Sequence, residues 1–206
     1  INGGEKITQK NDKTVSHTYG LNAFTQDTET NLFFVNNNNG TFSICRNVNT
    51  TISTPSIKGV SQPIKSGNYT ETCGLTINGF MATNHKVGMT LITNAGQIIF
   101  FGLKNNNGIK LCVDKYTNNT TFDATLFSID TSFNSVIYLK INKNDTNTVF
   151  SISYNGWEWT PVHVISNATA PISDITKIGI AVDNETPTSA TPYNLNVTIN
   201  EWNPLA

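Results

Sequence analysis

Charged residues are scarce in this chain of 206 residues. Asp, Glu, Lys and Arg together make up 13% of it and leave a net charge of −1, whereas about 25% is usual for a globular domain. The sequence has no basic patch that would attract nucleic acid or an anionic membrane surface. We therefore expect no nucleic-acid partner. The sequence also has no run of about 18 apolar residues, so we expect no insertion into a bilayer.

Cysteine is also scarce, with three residues in the chain, Cys45, Cys73 and Cys112. An odd number allows at most one internal disulfide and leaves one thiol over. Cys73 shares an apolar face with Leu75 and Ile77, which predicts a buried, unreactive thiol. Cys45 and Cys112 fall opposite the apolar sets of their strands, so we expect the two to meet on a common outer face as a disulfide.

The sequence also lacks the residue clusters that metal binding and catalysis need. Cysteine or histidine pairs at metal-ligand spacing are absent, so we expect no metal site. The three histidines are isolated in the sequence, so we expect them to be surface or packing residues: His17, His85 and His163. Glycoside hydrolysis needs two facing carboxylates, yet Glu158 and Glu201 each lack an acidic neighbour two positions away. We therefore expect no cofactor and no catalytic residue, and we predict that the chain is not an enzyme.

Segments in which apolar and polar residues alternate are frequent in the chain, above all over residues 135–202. A period of two is the spacing of a β-strand with one buried face. The apolar members of the four runs there are Ile137, Leu139 and Ile141; Phe150, Ile152 and Tyr154; Ile178, Ile180 and Val182; and Tyr193, Leu195, Val197 and Ile199. Between the second and third runs, Asn155-Gly156 suits a tight hairpin turn, with Trp157 and Trp159 resuming the strand beyond it.

The same pattern extends through the centre of the chain. It predicts strands at 87–93, 97–103, 109–116 and 121–129, and no window shows convincing helical spacing. About thirteen short strands separated by turn residues are typical of a β-sandwich. We therefore predict an all-β, two-sheet antiparallel β-sandwich over residues 25–206, preceded by an N-terminal extension strand within residues 1–24.

The order of the last strands carries a family resemblance. The series YLKI, FSISYNGWEWTPV, DITKIGIAVDN and YNLNVTINEW resembles the end of a concanavalin A-like, laminin-G-like jelly roll. The match covers roughly residues 75–202 and is best over 135–202. It implies a jelly-roll sandwich, and such modules often occur beside glycoside hydrolase domains. It implies little about function, because this fold serves enzymes, lectins, adhesins and spacers alike.

Neutral amides and hydroxyls supply most of the polarity, with 30 Asn and 30 Thr in the chain. Asn-x-Thr sequons, the acceptors of N-glycosylation, begin at nine positions: Asn39, Asn49, Asn68, Asn118, Asn119, Asn144, Asn167, Asn184 and Asn196. They predict a glycoprotein that is extracellular or on the cell surface. The chain starts with Ile rather than Met, which fits a removed signal peptide or a cut fragment.

A structural role is the first of two functional hypotheses. Val15, His17, Tyr19 and Leu21 alternate within the extension and are candidates for a donor strand, which completes the sheet edge of a neighbouring copy. Repeated head to tail, such a contact gives an open filament. In composition the chain resembles surface proteins of acid-living archaea, and in length and strand content it resembles thread or pilin subunits. We therefore predict a non-catalytic filament or coat subunit whose main partner is a copy of itself.

A carbohydrate-binding or adhesion module of the concanavalin A-like type is the alternative, with glycans as partners. Trp157 and Trp159 are its candidate residues, because indole rings can stack on sugar rings. They can equally pack between the two sheets, and the family resemblance favours that arrangement. We expect Trp202, near the end of the last strand, to close the core.

Overall fold

A computed structural model describes residues 25–26, 32–37, 41–48, 55–64, 66–78, 81, 83–132, 136–183 and 193–204. Within these residues the chain forms fourteen β-strands and one short 3-10 helix, Ile172–Asp174. The strands are β1 (Thr25–Gln26), β2 (Leu32–Asn36), β3 (Phe42–Val48), β4 (Lys58–Pro63), β5 (Tyr69–Ile77), β6 (Lys86–Thr93), β7 (Ile98–Asn105), β8 (Ile109–Asn118), β9 (Thr121–Asp130), β10 (Val136–Lys143), β11 (Asn147–Ser153), β12 (Thr160–Ser166), β13 (Ile175–Asp183) and β14 (Tyr193–Pro204).

The strands form two antiparallel sheets of seven strands each. Sheet A has the order β1-β4-β13-β6-β7-β8-β9, and sheet B has the order β12-β11-β10-β5-β14-β3-β2. This arrangement confirms the predicted all-β, two-sheet antiparallel sandwich. The predicted boundary between an extension and a domain at residue 25 stays a prediction, because residues 1–24 lie outside the described residues.

The main core lies between the sheets and is built from the alternating apolar sets that the sequence shows. Ile137, Leu139 and Ile141 of β10 are all fully buried in it. Phe101 of sheet A meets Phe150 of sheet B edge to face, with ring centroids 5.3 Å apart, a favourable aromatic geometry. Trp202 is buried in the same core, as predicted.

Part of the outer face of sheet A is also buried, which simple alternation does not predict. A second apolar cluster there contains Ile57, Ile98, Phe100, Cys112, Tyr116 and Ala181. Strands β6 and β7 are consequently buried on both faces along most of their length. A strand that is buried on both faces has a continuous apolar run in its sequence, as in the segment IIFFGL at 98–103.

Candidate functional site

The connection between β11 and β12 carries the largest exposed aromatic side chain of the described residues. It spans residues 154–159, and we call it the aromatic loop. The predicted tight turn at Asn155-Gly156 with a strand resuming at Trp157 is wrong, because β11 ends at Ser153 and β12 begins only at Thr160. Gly156 does adopt a positive φ of 78°, the conformation that made the dipeptide a turn candidate.

Side-chain hydrogen bonds fix the shape of the aromatic loop. The Oδ1 atom of Asn155 accepts bonds from the backbone N–H groups of Trp157, at 2.8 Å, and Glu158, at 2.9 Å. The Oγ atom of Ser153 accepts from the N–H groups of Asn155, at 3.2 Å, and Gly156, at 2.8 Å. Such local side-chain bonds compete with strand pairing, which explains why the hairpin opens here. The Ser-x-Asn spacing is the sequence signal that could have revealed this.

Trp157 points into solvent. Its side chain is 69% exposed, so the expectation that it packs between the sheets is wrong. Tyr154, expected on the inward face with Phe150 and Ile152, is 51% exposed, and its hydroxyl is hydrogen-bonded to Thr131 Oγ1 at 2.8 Å. The loop therefore presents two aromatic rings to solvent.

The underside of the aromatic loop rests on the outer face of sheet B. The ring of Tyr138 lies between Gly74 and Gly156: a Cβ atom built on these glycines would be 2.9 Å and 3.4 Å from Tyr138 Cε1. Trp159 is only partly exposed, and Lys140 Nζ lies 4.2 Å from the centroid of a Trp159 ring, within cation–π range. Trp159 therefore packs on the sheet and anchors the loop, while Trp157 stays available for contact.

A buried ion pair lies on the outer face of sheet A. Lys86 Nζ is 2.8 Å from Asp114 Oδ2, and the two side chains are 2% and 0% exposed. Asp114 Oδ1 also accepts a hydrogen bond from Thr125 Oγ1 at 2.8 Å. The ammonium group of Lys86 also donates a hydrogen bond to the Tyr116 hydroxyl. It lies 4.9 Å from the centroid of the Tyr116 ring. Each charge therefore has both an opposite charge and a further partner, which a buried pair needs to be tolerated.

A second buried polar group joins β3 to the end of β13. Arg46 donates to the Ser56 carbonyl oxygen and, at 2.8 Å, to Ser56 Oγ, while the Ser56 N–H donates to Asp183 Oδ1 at 3.1 Å. His85 is fully buried nearby. Burial, and to a lesser degree the charge of Arg46, lower the pKa of His85 to about 4. At neutral pH this imidazole is uncharged.

The described residues offer neither a cluster of metal ligands nor a helix that could span a membrane. They contain no group of three or more His, Cys, Asp or Glu side chains placed to hold a metal ion. No helix among them is both long enough and apolar enough to cross a membrane.

The predicted disulfide between Cys45 and Cys112 is not formed, and all three cysteines are free thiols. Cys45 alternates with the inward-facing Ile44 and so lies on the outer face of sheet B, whereas Cys112 belongs to the cluster on the outer face of sheet A. The two thiols therefore lie on opposite sides of the sandwich. Strand parity reveals the face of a strand but not the sheet to which it belongs. Cys73 is fully buried in the core, as predicted.

The sequons are distributed over loops and strands. Asn68, Asn118 and Asn144 are exposed, and Asn119, Asn167 and Asn196 are partly exposed, whereas Asn39, Asn49 and Asn184 lie outside the described residues. Glycosylation and an extracellular location stay predictions. The donor-strand candidates, Val15, His17, Tyr19 and Leu21, also lie outside the described residues, so assembly into a filament stays a prediction too.

No protein-family model matches the chain, and no curated protein matches it in sequence. Solved structures do match it in fold. A functionally unknown protein from Saccharomyces cerevisiae aligns with a TM-score of 0.63 and 14% identity, over 91% of this chain and 100% of its own. The GH43 BlXynB protein from Bacillus licheniformis aligns with a TM-score of 0.57 and 14% identity, over 86% of this chain. A xylan beta-1,4-xylosidase from Bacillus halodurans aligns with a TM-score of 0.50 and 14% identity, over 77% of this chain.

These comparisons correct the prediction that the chain is not an enzyme. Similar structures include a GH43 glycoside hydrolase and a xylosidase, so the lack of paired carboxylates in a β-sandwich sequence does not separate the chain from enzymes. The alignment spans 37% of the B. licheniformis protein and 33% of the B. halodurans protein. At such low identity, the shared feature is the fold: a two-sheet β-sandwich that also occurs as part of glycoside hydrolases.

Proposed function

We propose that the chain is a carbohydrate-binding β-sandwich of the concanavalin A-like, jelly-roll type, and that Trp157 on the aromatic loop is its sugar platform. The exposure of Trp157 carries this proposal. A largely exposed indole is costly in water, and aromatic side chains at such positions are typical of binding surfaces. An indole offers a flat apolar face for the C–H groups of a sugar ring and a donor edge for a hydroxyl.

The hydrogen bonds within the aromatic loop support the same proposal. Asn155 and Ser153 hold the backbone on both sides of Trp157, and Tyr138 supports Gly156 from below. A platform that is fixed before binding loses little conformational entropy when the ligand arrives. Glu158 and Tyr154 lie exposed on the same loop and provide polar groups for sugar hydroxyls.

The names of the similar structures suggest the first ligands to test. One of them is a xylan beta-1,4-xylosidase, so soluble xylan and xylohexaose are suitable probes, with a broader glycan array beside them. We expect binding to quench or shift the fluorescence of Trp157. We expect Trp157→Ala to weaken binding about tenfold, in line with about 1.5 kcal/mol for an aromatic stack.

Val164→Ala is the matched control, because Val164 is a 51% exposed apolar residue on the adjoining strand. We expect this variant to bind as the unchanged protein does. Equal binding by Trp157→Ala would refute the role of the indole. Absence of binding to every glycan on the array would refute the proposed function as a whole.

A further inference from the structure

A cavity of about 300 Å³ opens on sheet A, the sheet that does not carry the aromatic loop. Its walls include Ile57, Ile92 and Ile98, and its polar lining includes Ser61 and Thr90. Ser61, Thr90 and Ile92 alternate with core residues of β4 and β6, which places their side chains on the outer face of the sheet. The cavity is thus a feature of the outer face, separate from the site proposed above.

Backbone geometry keeps the floor of this cavity empty. Gly59 and Ala181 both line it and are direct partners across β4 and β13. A Cβ atom on Gly59 would lie 1.9 Å from the carbonyl oxygen of Ile180, so no side chain can stand there without a backbone shift. Ala181 adds a single methyl group. The depression therefore follows from the pairing of the strands themselves.

The cavity has a single positive charge in the part of its lining that the structure describes. Of the described residues that line it, Lys177 alone is ionisable. Its side chain is exposed, and no hydrogen bond or ion pair joins its ammonium group to another described residue. An anion that enters the cavity can therefore pair with this ammonium group.

We propose that this cavity binds a hexuronate ring, either as a free sugar acid or as a residue of a polysaccharide. A volume of about 300 Å³ is at the lower end of known ligand sites, which run from roughly 300 to 1,000 Å³, so it suits one sugar ring. The isoleucines contact the C–H face of the ring. The hydroxyls of Ser61 and Thr90 bond to sugar hydroxyls, and Lys177 pairs with the carboxylate.

Two-dimensional ¹H–¹⁵N NMR titration of the full chain tests this proposal with glucuronate and with glucose as its neutral match. We expect glucuronate to shift the amide signals of Ser61, Thr90 and Lys177, and to bind about fivefold more tightly than glucose, the gain of one exposed ion pair. The preference should shrink as salt is added, since salt screens an exposed charge. A digalacturonate probe shows whether a linked residue enters the cavity as well as a free one.

Lys177→Met should remove the preference for glucuronate, and Lys177→Arg should keep it. Lys110→Met is the control, since it removes one partly exposed positive charge, paired with Asp130, from another strand of the same sheet. Equal affinity for glucuronate and glucose, no binding of either, or unchanged binding by Lys177→Met would each overturn the proposal. So would shifts confined to the aromatic loop.

The two proposals fail separately. Trp157→Ala should leave glucuronate binding at the cavity unchanged, and Lys177→Met should leave the binding of xylohexaose, which has no carboxylate, unchanged. A protein that binds a neutral glycan through Trp157 but does not bind glucuronate refutes only the cavity proposal. A protein that binds glucuronate at the cavity but no glycan at the aromatic loop refutes only the role of that loop.

Discussion

Replacing Asp114 with Asn should destabilise the protein more than most single substitutions. Asp114 and Lys86 are separated by 2.8 Å and are almost inaccessible to solvent. At an effective dielectric constant of about 20, two unit charges at this distance attract each other by about 6 kcal/mol. Asn keeps an oxygen for the hydrogen bond from Thr125 but leaves the ammonium group of Lys86 buried without its counter-charge. Removing one partner of a buried pair costs about 3–5 kcal/mol.

Urea unfolding followed by fluorescence or circular dichroism measures this cost as a change in the free energy of unfolding. Asp130→Asn is the control, because it breaks the ion pair of Asp130 with Lys110, in which Asp130 is 84% exposed. An exposed pair contributes about 0–1 kcal/mol. If Asp114→Asn costs no more than Asp130→Asn, the argument from burial is refuted. The double variant Lys86→Met/Asp114→Leu should regain much of the loss, because it leaves no charge behind.

Three further predictions concern pH, thiols and glycine. The pKa of His85 falls from 6.5 to about 4 on folding, so its contribution to stability is complete above pH 6.5 and is lost as the pH falls through about 4. The loss should be on the order of 3 kcal/mol, and urea unfolding of His85→Gln should show a flatter pH dependence; parallel curves would contradict this. A thiol reagent should modify Cys45 in the folded protein but reach the buried Cys73 and Cys112 only after unfolding, and rapid labelling of all three would contradict their burial. Gly88→Ala should cost about 1–3 kcal/mol in unfolding free energy, because its Cβ would lie 2.2 Å from the carbonyl oxygen of the opposite strand; unchanged stability would show that the strands can separate.

Strand positions follow from the sequence because burial of one face leaves a period of two. The run at 135–143 becomes β10, Val136–Lys143, and the run at 109–116 becomes most of β8, Ile109–Asn118. Alternation is a local property of a strand, so it can be recognised without knowing with which strands that strand pairs. It does not tell which sheet a strand joins, and for that reason the parity of Cys45 and Cys112 suggested a contact between thiols on opposite sides of the sandwich.

The candidate site was only half visible in the sequence. Trp157 and Trp159 have the same spacing as two residues on one face of a strand, yet one is exposed and the other packs on sheet B. The difference arises from Asn155, whose side chain takes the hydrogen bonds that a hairpin would have made. The cavity beside Lys177 was not visible at all, because its floor depends on the approach of Gly59 to a strand more than a hundred residues away in the chain.

The positions of β13 and β14 have a consequence for synthesis on the ribosome. β13 lies between β4 and β6, and β14 lies between β5 and β3, so both sheets are completed only by residues from Ile175 onward. A nascent chain that lacks them exposes gaps with unpaired backbone groups in two places at once. Strand pairings so distant in sequence form slowly, and open strand edges are prone to intermolecular pairing. The emerging polypeptide is therefore vulnerable to aggregation until β13 and β14 have left the exit tunnel.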